Sequence, residues 1–241
     1  MKFISPKAIF LDLDDTILTF ESIKIKCWSM VAEVFSNSLG NASPKDFVSN
    51  ISKNSDRFWS DEGRNNKWRQ NLKGARVEIV TITMKELGIY DENVCKKIAE
   101  SYSKLRTDSI TPIPGAIEAV KFLKNKGIKT ALITNGSSKS QREKINRFGL
   151  ERLFNSILIE GEIGFGKPDK RIYVKGLYEL GVTPEETWMI GDNIIWDVTA
   201  PQKLGIKGIY VDYKGNGEID VLSDKPFLTI SSLYDIVSYL K

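Results

Sequence analysis

The sequence predicts an α/β protein: a parallel sheet wound with helices on both faces, interrupted after its first strand by an all-helical insertion. Three observations predict this. Short apolar runs alternate with helical patterns through the second half of the chain, as strands joined by helical crossovers do. Ala8-Ile9-Phe10-Leu11, near the start, has the composition of a strand buried on both faces. Between that strand and the alternating half, residues 20–110 carry helical periodicity only.

In order, the first strand ends abruptly in Asp12-Leu13-Asp14-Asp15-Thr16. A buried strand cannot carry carboxylates past its end without a partner or a metal, although any single Asp there also reads as a turn or a helix cap. Ile23, Cys27, Met30, Val31 and Val34 then recur at helical spacing up to Leu39-Gly40. Ser43-Pro44-Lys45-Asp46 reads as a helix start, with Ser43 the cap, Pro44 in the first turn and an acid three residues on. Trp68, Leu72, Ala75, Ile79 and Ile82 form the cleanest stripe, closed by Leu87-Gly88, and Val94, Ile98, Tyr102 and Leu105 give a further helix.

Thr111-Pro112-Ile113-Pro114-Gly115 breaks the helical block. Beyond it the pattern predicts a helix from Ala116 to Lys126 and a strand over Ile128–Ile133 that stops at Thr134-Asn135-Gly136. A helix near 139–147, a strand at Ile157-Leu158-Ile159, a glycine-rich loop from Gly161 to Gly166 and a helix from Asp169 to Leu180 follow. Trp188-Met189-Ile190 is a strand ending at Gly191-Asp192-Asn193, followed by a helix near 196–204, strands at Gly208–Val211 and Phe227–Ile230, and a terminal helix. The expected domains are therefore 1–19 with 111–241 as a core, and 20–110 as a helical lid.

Composition narrows the chemistry. With 241 residues, 41% hydrophobic and 27% charged, the chain suits one or two globular domains with a real core. A net charge of +4 and no basic aromatic patch give no support for nucleic-acid binding, and no apolar run is long enough for a membrane span. The two cysteines, Cys27 and Cys95, lie far apart, which argues against a disulfide or a zinc site. With no signal-peptide pattern at the N-terminus, they fit a reducing cytoplasm. The sequence contains 0 histidines, which excludes His-based triads, His-ligated zinc and His proton shuttles. Carboxylates, Lys, hydroxyls, backbone amides and an oxygen-bound metal remain.

Four polar clusters close four segments: Asp12 with Asp14, Thr134-Asn135, Lys167, and Asp192 with Asp197. Alone, each is ordinary: Thr134-Asn135-Gly136 a turn, Lys167 before Pro168 a solvated lysine, Asp192 a helix cap, Asp197 a surface acid. In a parallel sheet, though, the carboxyl ends of the strands share one rim, where ligands bind. Their joint occurrence at that rim points to a site.

These residues resemble a known family. Asp12-Leu13-Asp14-Asp15-Thr16, Thr134-Asn135-Gly136, Lys167-Pro168 and Gly191-Asp192-x4-Asp197 are similar to the four ordered motifs of the haloacid dehalogenase superfamily. Residues 20–110 resemble its inserted helical (C1-type) cap, and Ala131–Val211 its phosphoglycolate-type, sugar-acid and small-nucleotide phosphatases. The resemblance implies a Rossmann-like core, Mg2+ dependence and an aspartyl-phosphate intermediate. The implied partner is a small phosphorylated metabolite (a sugar, sugar-acid, glycolate or nucleoside monophosphate), with the oligomeric state open between monomer and dimer.

The implied roles agree with elementary chemistry. Asp12 would be the nucleophile and Asp14 would protonate the leaving alcohol, then activate water. Two acids about 4 Å apart at an effective dielectric of about 20 repel by about 4 kcal/mol, which favours keeping one protonated. By the resemblance, Mg2+ would be held by Asp12, the backbone carbonyl of Asp14, and Asp192. Asp197 would stand behind them, orienting a metal-bound water or Lys167. Lys167 would neutralise the phosphate and Asp12, Thr134 and the Asn135 amide would hold phosphate oxygens, and Thr16 would brace the turn. Asp14 departs from the metal-independent 2-haloacid dehalogenases of the same superfamily, which lack that acid, so phosphate chemistry is expected. A phosphotransferase or phosphomutase with the same site and a phospho-acceptor module that does not turn over are the alternatives. Substrate preference would come from the lid, where Arg64, Trp68, Arg69 and Arg76 share a helical stretch just after Arg57 and Trp59. Trp68 on its apolar stripe reads as core, and the arginines read as a solvated helix face before they read as substrate contacts.

Overall fold

The computed structural model describes residues 5–68, 71–213, 215 and 225–241. They form two compact units, one comprising Met1–Thr19 with Thr111–Lys241 and the other Phe20–Ile110.

The first unit is built on six parallel strands: β1 (Ala8–Leu11), β2 (Lys129–Thr134), β3 (Ser156–Ile159), β4 (Thr187–Gly191), β5 (Lys207–Val211) and β6 (Leu228–Ile230), in the order β3-β2-β1-β4-β5-β6. β1 lies at the centre, pairing with β2 on one side and β4 on the other. All four of its residues are buried, as an apolar run covered on both faces requires. Its side chains alternate. Ala8 and Phe10 pack with Ile172, Tyr173 and Leu177 of a helix over Lys170–Leu180. Ile9 and Leu11 point to the opposite face, where a helix over Ala116–Asn125 lies against β2. The Phe10 ring fits only because residue 176 is glycine: a Cβ there would stand 2.9 Å from the ring.

The chain leaves this unit after Thr19 and returns at Thr111, and the two segments are tied together. Thr19 N donates to Thr111 O at 2.9 Å, and Ile113 N donates to Ile17 O at 2.9 Å.

The second unit is helical throughout its described residues. α1 spans Lys24–Val34, α2 Pro44–Ser60, α3 Glu62–Trp68, α4 Leu72–Glu86 and α5 Glu92–Ser109. α2 begins with the expected cap: Ser43 Oγ accepts from Asp46 N at 3.2 Å, while Ser43 N donates to Asp46 Oδ2 at 3.1 Å. Two expectations fail here. The buried face of α1 is Cys27, Trp28, Val31 and Ala32, whereas Met30 and Val34 are exposed, because stacking of Trp28 on Tyr102 turns the helix toward the Trp28 side. The stripe from Trp68 to Ile82 is divided between two helices, since Asn71 caps the start of α4 by accepting from Gly74 N at 3.1 Å. Both cysteines are free and buried.

In chain order the remaining helices are α6 (Ala116–Asn125), α7 (Ser138–Arg147), α8 (Glu160–Ile163), α9 (Lys170–Leu180), α10 (Ala200–Gln202) and α11 (Ile236–Tyr239). The glycine-rich stretch after β3 thus opens as a helical turn, not as loop. The helix expected near 196–204 is a π-helical segment, Ile194–Thr199, followed by α10. Among the described residues no helix is long and apolar enough to cross a membrane.

Gly176→Ala places a methyl group against a ring that close packing cannot move. It is expected to lower unfolding stability by about 1–3 kcal/mol in urea titrations; an unchanged midpoint would show that α9 does not approach β1 this closely.

Candidate active site

The carboxyl ends of β1 and β4 lie side by side, and Asp12 N extends their pairing by donating to Ile190 O at 3.0 Å. Past Asp12 the chain folds into a tight turn: Ile17 N and Leu18 N both donate to Leu13 O at 2.9 Å, and Asp15 adopts a positive φ of 54°. After β4, Gly191 leads into Asp192 and the π-helical segment. A Cβ at residue 191 would lie 2.2 Å from Asp197 Oδ2, so only glycine lets that carboxylate rest against the strand end. Asn193 caps the segment by accepting from Ile195 N and Trp196 N, and Asn193 N donates to Asp197 Oδ2 at 3.1 Å.

These elements bring one carboxylate oxygen each from Asp12, Asp192 and Asp197 within 4.8 Å of one another. Lys167 supplies the opposing charge. Its side chain is 1% exposed, with Nζ 2.7 Å from Asp12 Oδ1 and 2.6 Å from Asp197 Oδ1. The side chain of Asn135 sets its backbone, donating to Lys167 O at 2.7 Å and accepting from Lys167 N at 2.8 Å.

One ammonium among three acids, Asp12 and Asp197 buried and Asp192 half-buried, leaves the negative charge in excess. Burial, with Asp197 adding, pushes Asp12 up from 3.8 to about 7 despite Lys167. Burial, with Asp12, Asp197 and Asp15 adding, pushes Asp192 up to about 9. Burial disfavours a charged Lys167, yet the adjoining Asp12 and Asp197 hold it above its ordinary value. A divalent cation answers this imbalance: the donors are hard oxygens, the set Mg2+ prefers, and two positive charges would offset the surplus.

Asp14 is placed otherwise than crowding with Asp12 suggests. Its carboxylate turns to α7, where Lys144 Nζ lies 2.6 Å from both oxygens and Gln141 Nε2 donates to Oδ2 at 3.1 Å. Asp14 is the weakest contributor to the raised Asp12, behind burial and Asp197. The Thr134 hydroxyl accepts from Gln141 at 2.5 Å, and the Asn135 side chain is committed to Lys167. Thr16 does not brace the turn through its side chain: its hydroxyl is buried without a hydrogen-bond partner, and backbone bonds to Leu13 hold the loop.

In the helical unit, Trp68 packs against the core, 6.5 Å from the Phe58 ring. Arg64 lies over Phe58, its guanidinium carbon 5.4 Å from the ring centre. Arg76, on α4 and not on the helix of Arg64, donates to Ser103 Oγ at 3.0 Å and covers Tyr102. Arg69 lies outside the described residues.

Sequence reasoning missed Gln141, Lys144, Asn193 and Glu160, whose Oε2 accepts from Gly136 N at 2.9 Å. Gln141 and Lys144 carried a usable signal, being polar and three residues apart on one face of a short helix beside the buried Ile145.

A family model described as haloacid dehalogenase-like hydrolase matches residues 6–205. The chain belongs to that family. A glyceraldehyde 3-phosphate phosphatase of Methanocaldococcus jannaschii is 32% identical over 161 residues, 64% of this chain and 69% of that protein. A phosphoserine phosphatase of Thermus thermophilus is 43% identical over 98 residues, 39% of each chain. This chain spans 50%, 54% and 50% of the length of three further relatives. In fold, it superposes on the HAD-hydrolase YfnB of Bacillus subtilis, solved bound to magnesium, with a TM-score of 0.76 at 19% identity, covering 99% of this chain and 100% of that one.

The raised acids set the sign of a pH effect. From 3.8 up to about 7 for Asp12 and about 9 for Asp192, the folded state holds protons that the unfolded chain has released. Stability without a divalent ion therefore falls as pH rises through that window. Mg2+ is expected to raise the melting temperature more at pH 8 than at pH 5; equal shifts would contradict binding at these acids.

Proposed function

We propose that the protein is a Mg2+-dependent phosphatase that hydrolyses a small phosphate monoester through an aspartyl-phosphate on Asp12. The observation that carries this reading is the meeting of Asp12, Asp192 and Asp197 around the buried Lys167 at the rim of the sheet. The phosphatase relatives support the choice of phosphate ester.

In the first half-reaction Asp12 attacks phosphorus, the bond to the leaving oxygen breaks, and Asp14 gives that oxygen a proton. In the second, Asp14 takes a proton from water as it attacks the phosphorylated Asp12, which leaves as a carboxylate. Lys167 holds Asp12 from one side and offsets the charge of the phosphoryl oxygens. The Thr134 hydroxyl accepts from Gln141 and donates to Asn135 O at 3.4 Å, a long bond that it would exchange for one to a phosphate oxygen. Asp12, the backbone carbonyl of Asp14 and Asp192 would hold Mg2+, with Asp197 fixing Lys167 behind them. When bound, the ion supplies charge neutralisation for the transferring phosphoryl group. Metal-independent dehalogenation, the competing chemistry on this fold, would leave the surplus charge at Asp192 unanswered.

For preference among substrates we assign Arg76. It donates to Ser103 Oγ, and burial and then the charge of Arg106 hold it down to about 10, with Tyr102 and the Glu21 carboxylate opposing them only in part. An arginine in that state favours an added anion, such as a carboxylate on the substrate.

The test is phosphate release with Mg2+ from sugar phosphates, nucleoside monophosphates, phosphoglycolate and phosphoserine. Asp12→Asn is expected to abolish turnover, and Arg76→Gln to raise KM by about tenfold for carboxylate-bearing esters only. Wild-type turnover by Asp12→Asn would remove the nucleophile, and an unselective KM change would remove Arg76.

A further inference from the structure

Lys144 is a lysine with a 6% exposed side chain, and lysines are seldom buried unless paired. Its ammonium lies 2.6 Å from each oxygen of Asp14, across 130 residues of sequence. Gln141, one helical turn earlier on α7, aims its side-chain NH2 at three acceptors that share its two protons: Asp14 Oδ2 at 3.1 Å, Thr134 Oγ1 at 2.5 Å and Asn135 O at 2.9 Å. The same amide thus ties the acid at the end of β1 to the end of β2.

Resting on the reading of Asp14 as acid and base, we propose that Lys144 and Gln141 are positioning residues that fix the Asp14 carboxyl and select the oxygen through which its proton moves. A carboxylate offers about four lone-pair positions. Lys144 takes one on each oxygen and Gln141 a second on Oδ2, which leaves the open position on Oδ1. The proton passes from Oδ1 to the leaving oxygen as the P–O bond breaks, and returns to Oδ1 from the attacking water. Lys144 keeps its protons throughout and balances the charge of Asp14 once it has given up its own. A carboxyl free to rotate would present that position only part of the time, and proximity is a large part of acid catalysis.

The test compares leaving groups. An alkyl phosphate needs a proton on its departing oxygen; 2,4-dinitrophenyl phosphate does not. Lys144→Met, which keeps the length and apolar stem of the side chain, is expected to lower the single-turnover rate of alcohol release from the best alkyl phosphate by about 30-fold or more, with KM within about twofold. Its single-turnover release of dinitrophenol from 2,4-dinitrophenyl phosphate, which precedes the water step that Asp14 also serves, is expected to stay within about threefold of wild type, and Lys144→Arg to restore most of the alkyl-phosphate rate. Gln141→Leu is expected to give the same pattern with a smaller loss, and stands in should Lys144→Met fail to fold. A loss of leaving-group release equal on both substrates, a change confined to KM, or wild-type release on both overturns the proposal. Asp14→Asn separates the two levels. If it shows the leaving-group dependence and Lys144→Met does not, positioning alone falls; if it shows none, the acid assignment falls and takes positioning with it.

Discussion

The site depends on one buried cation. Lys167 sits between Asp12 and Asp197 with its side chain 1% exposed, and neither acid could be held so deep without it. The pairing is not local, since the ammonium arrives from the segment after α8, one acid from the end of β1 and the other from the π-helical segment after β4. Each approach is fixed by hydrogen bonds between side chain and backbone, including the pair between Asn135 and Lys167 and the one that Asn193 N donates to Asp197. Breaking any one would leave a desolvated charge without its counterpart, an expensive state inside a protein.

Two glycines make that convergence sterically possible. A side chain at 191 would occupy the place of the Asp197 carboxylate, and one at 166 would lie 2.5 Å from Asn135 Oδ1 and 2.8 Å from Glu160. Both positions serve close approach, not a special φ. The surrounding sheet supplies rigidity: β1, β2 and β4 are buried and paired in parallel register, so their carboxyl ends cannot drift apart. Lys167 offsets only part of the acid charge, and the remainder is what a divalent ion would complete.

The fold was largely legible because its signals are strong and short-range. A four-residue apolar run ending in acids, glycines after strands, and alternation of the two periodicities define a wound parallel sheet with little ambiguity. The misreadings arose where tertiary packing overrides pattern. Met30 and Val34 suit a helical stripe as well as Trp28 and Ala32 do, and only the stacking of Trp28 on Tyr102 decides which face turns inward. The stripe through Trp68 continues in hydrophobicity across a point where Asn71 starts a new helix. At the site, Asp12, Asp192 and Asp197 could be nominated because they end or closely follow buried strands, and Lys167 because it occurs in order with them. Lys144 shares a helix face with Gln141 beside the buried Ile145, a signal that marks the face but not its target, because nothing near it in sequence says that the face of α7 meets the turn after β1. Crowding between Asp12 and Asp14 was a fair inference from two-residue spacing, but it ignored the rotation that carries Asp14 toward Lys144 and leaves Asp192 and Asp197 as the acids that meet Asp12.

The most direct measurement is a crystal of the protein soaked in Mn2+, an anomalous scatterer with the oxygen preference of Mg2+. The account predicts a single strong peak within about 2.3 Å of carboxylate oxygens of both Asp12 and Asp192, with Lys167 still between Asp12 and Asp197. No peak at saturating Mn2+, or one that avoids these two acids, would contradict it.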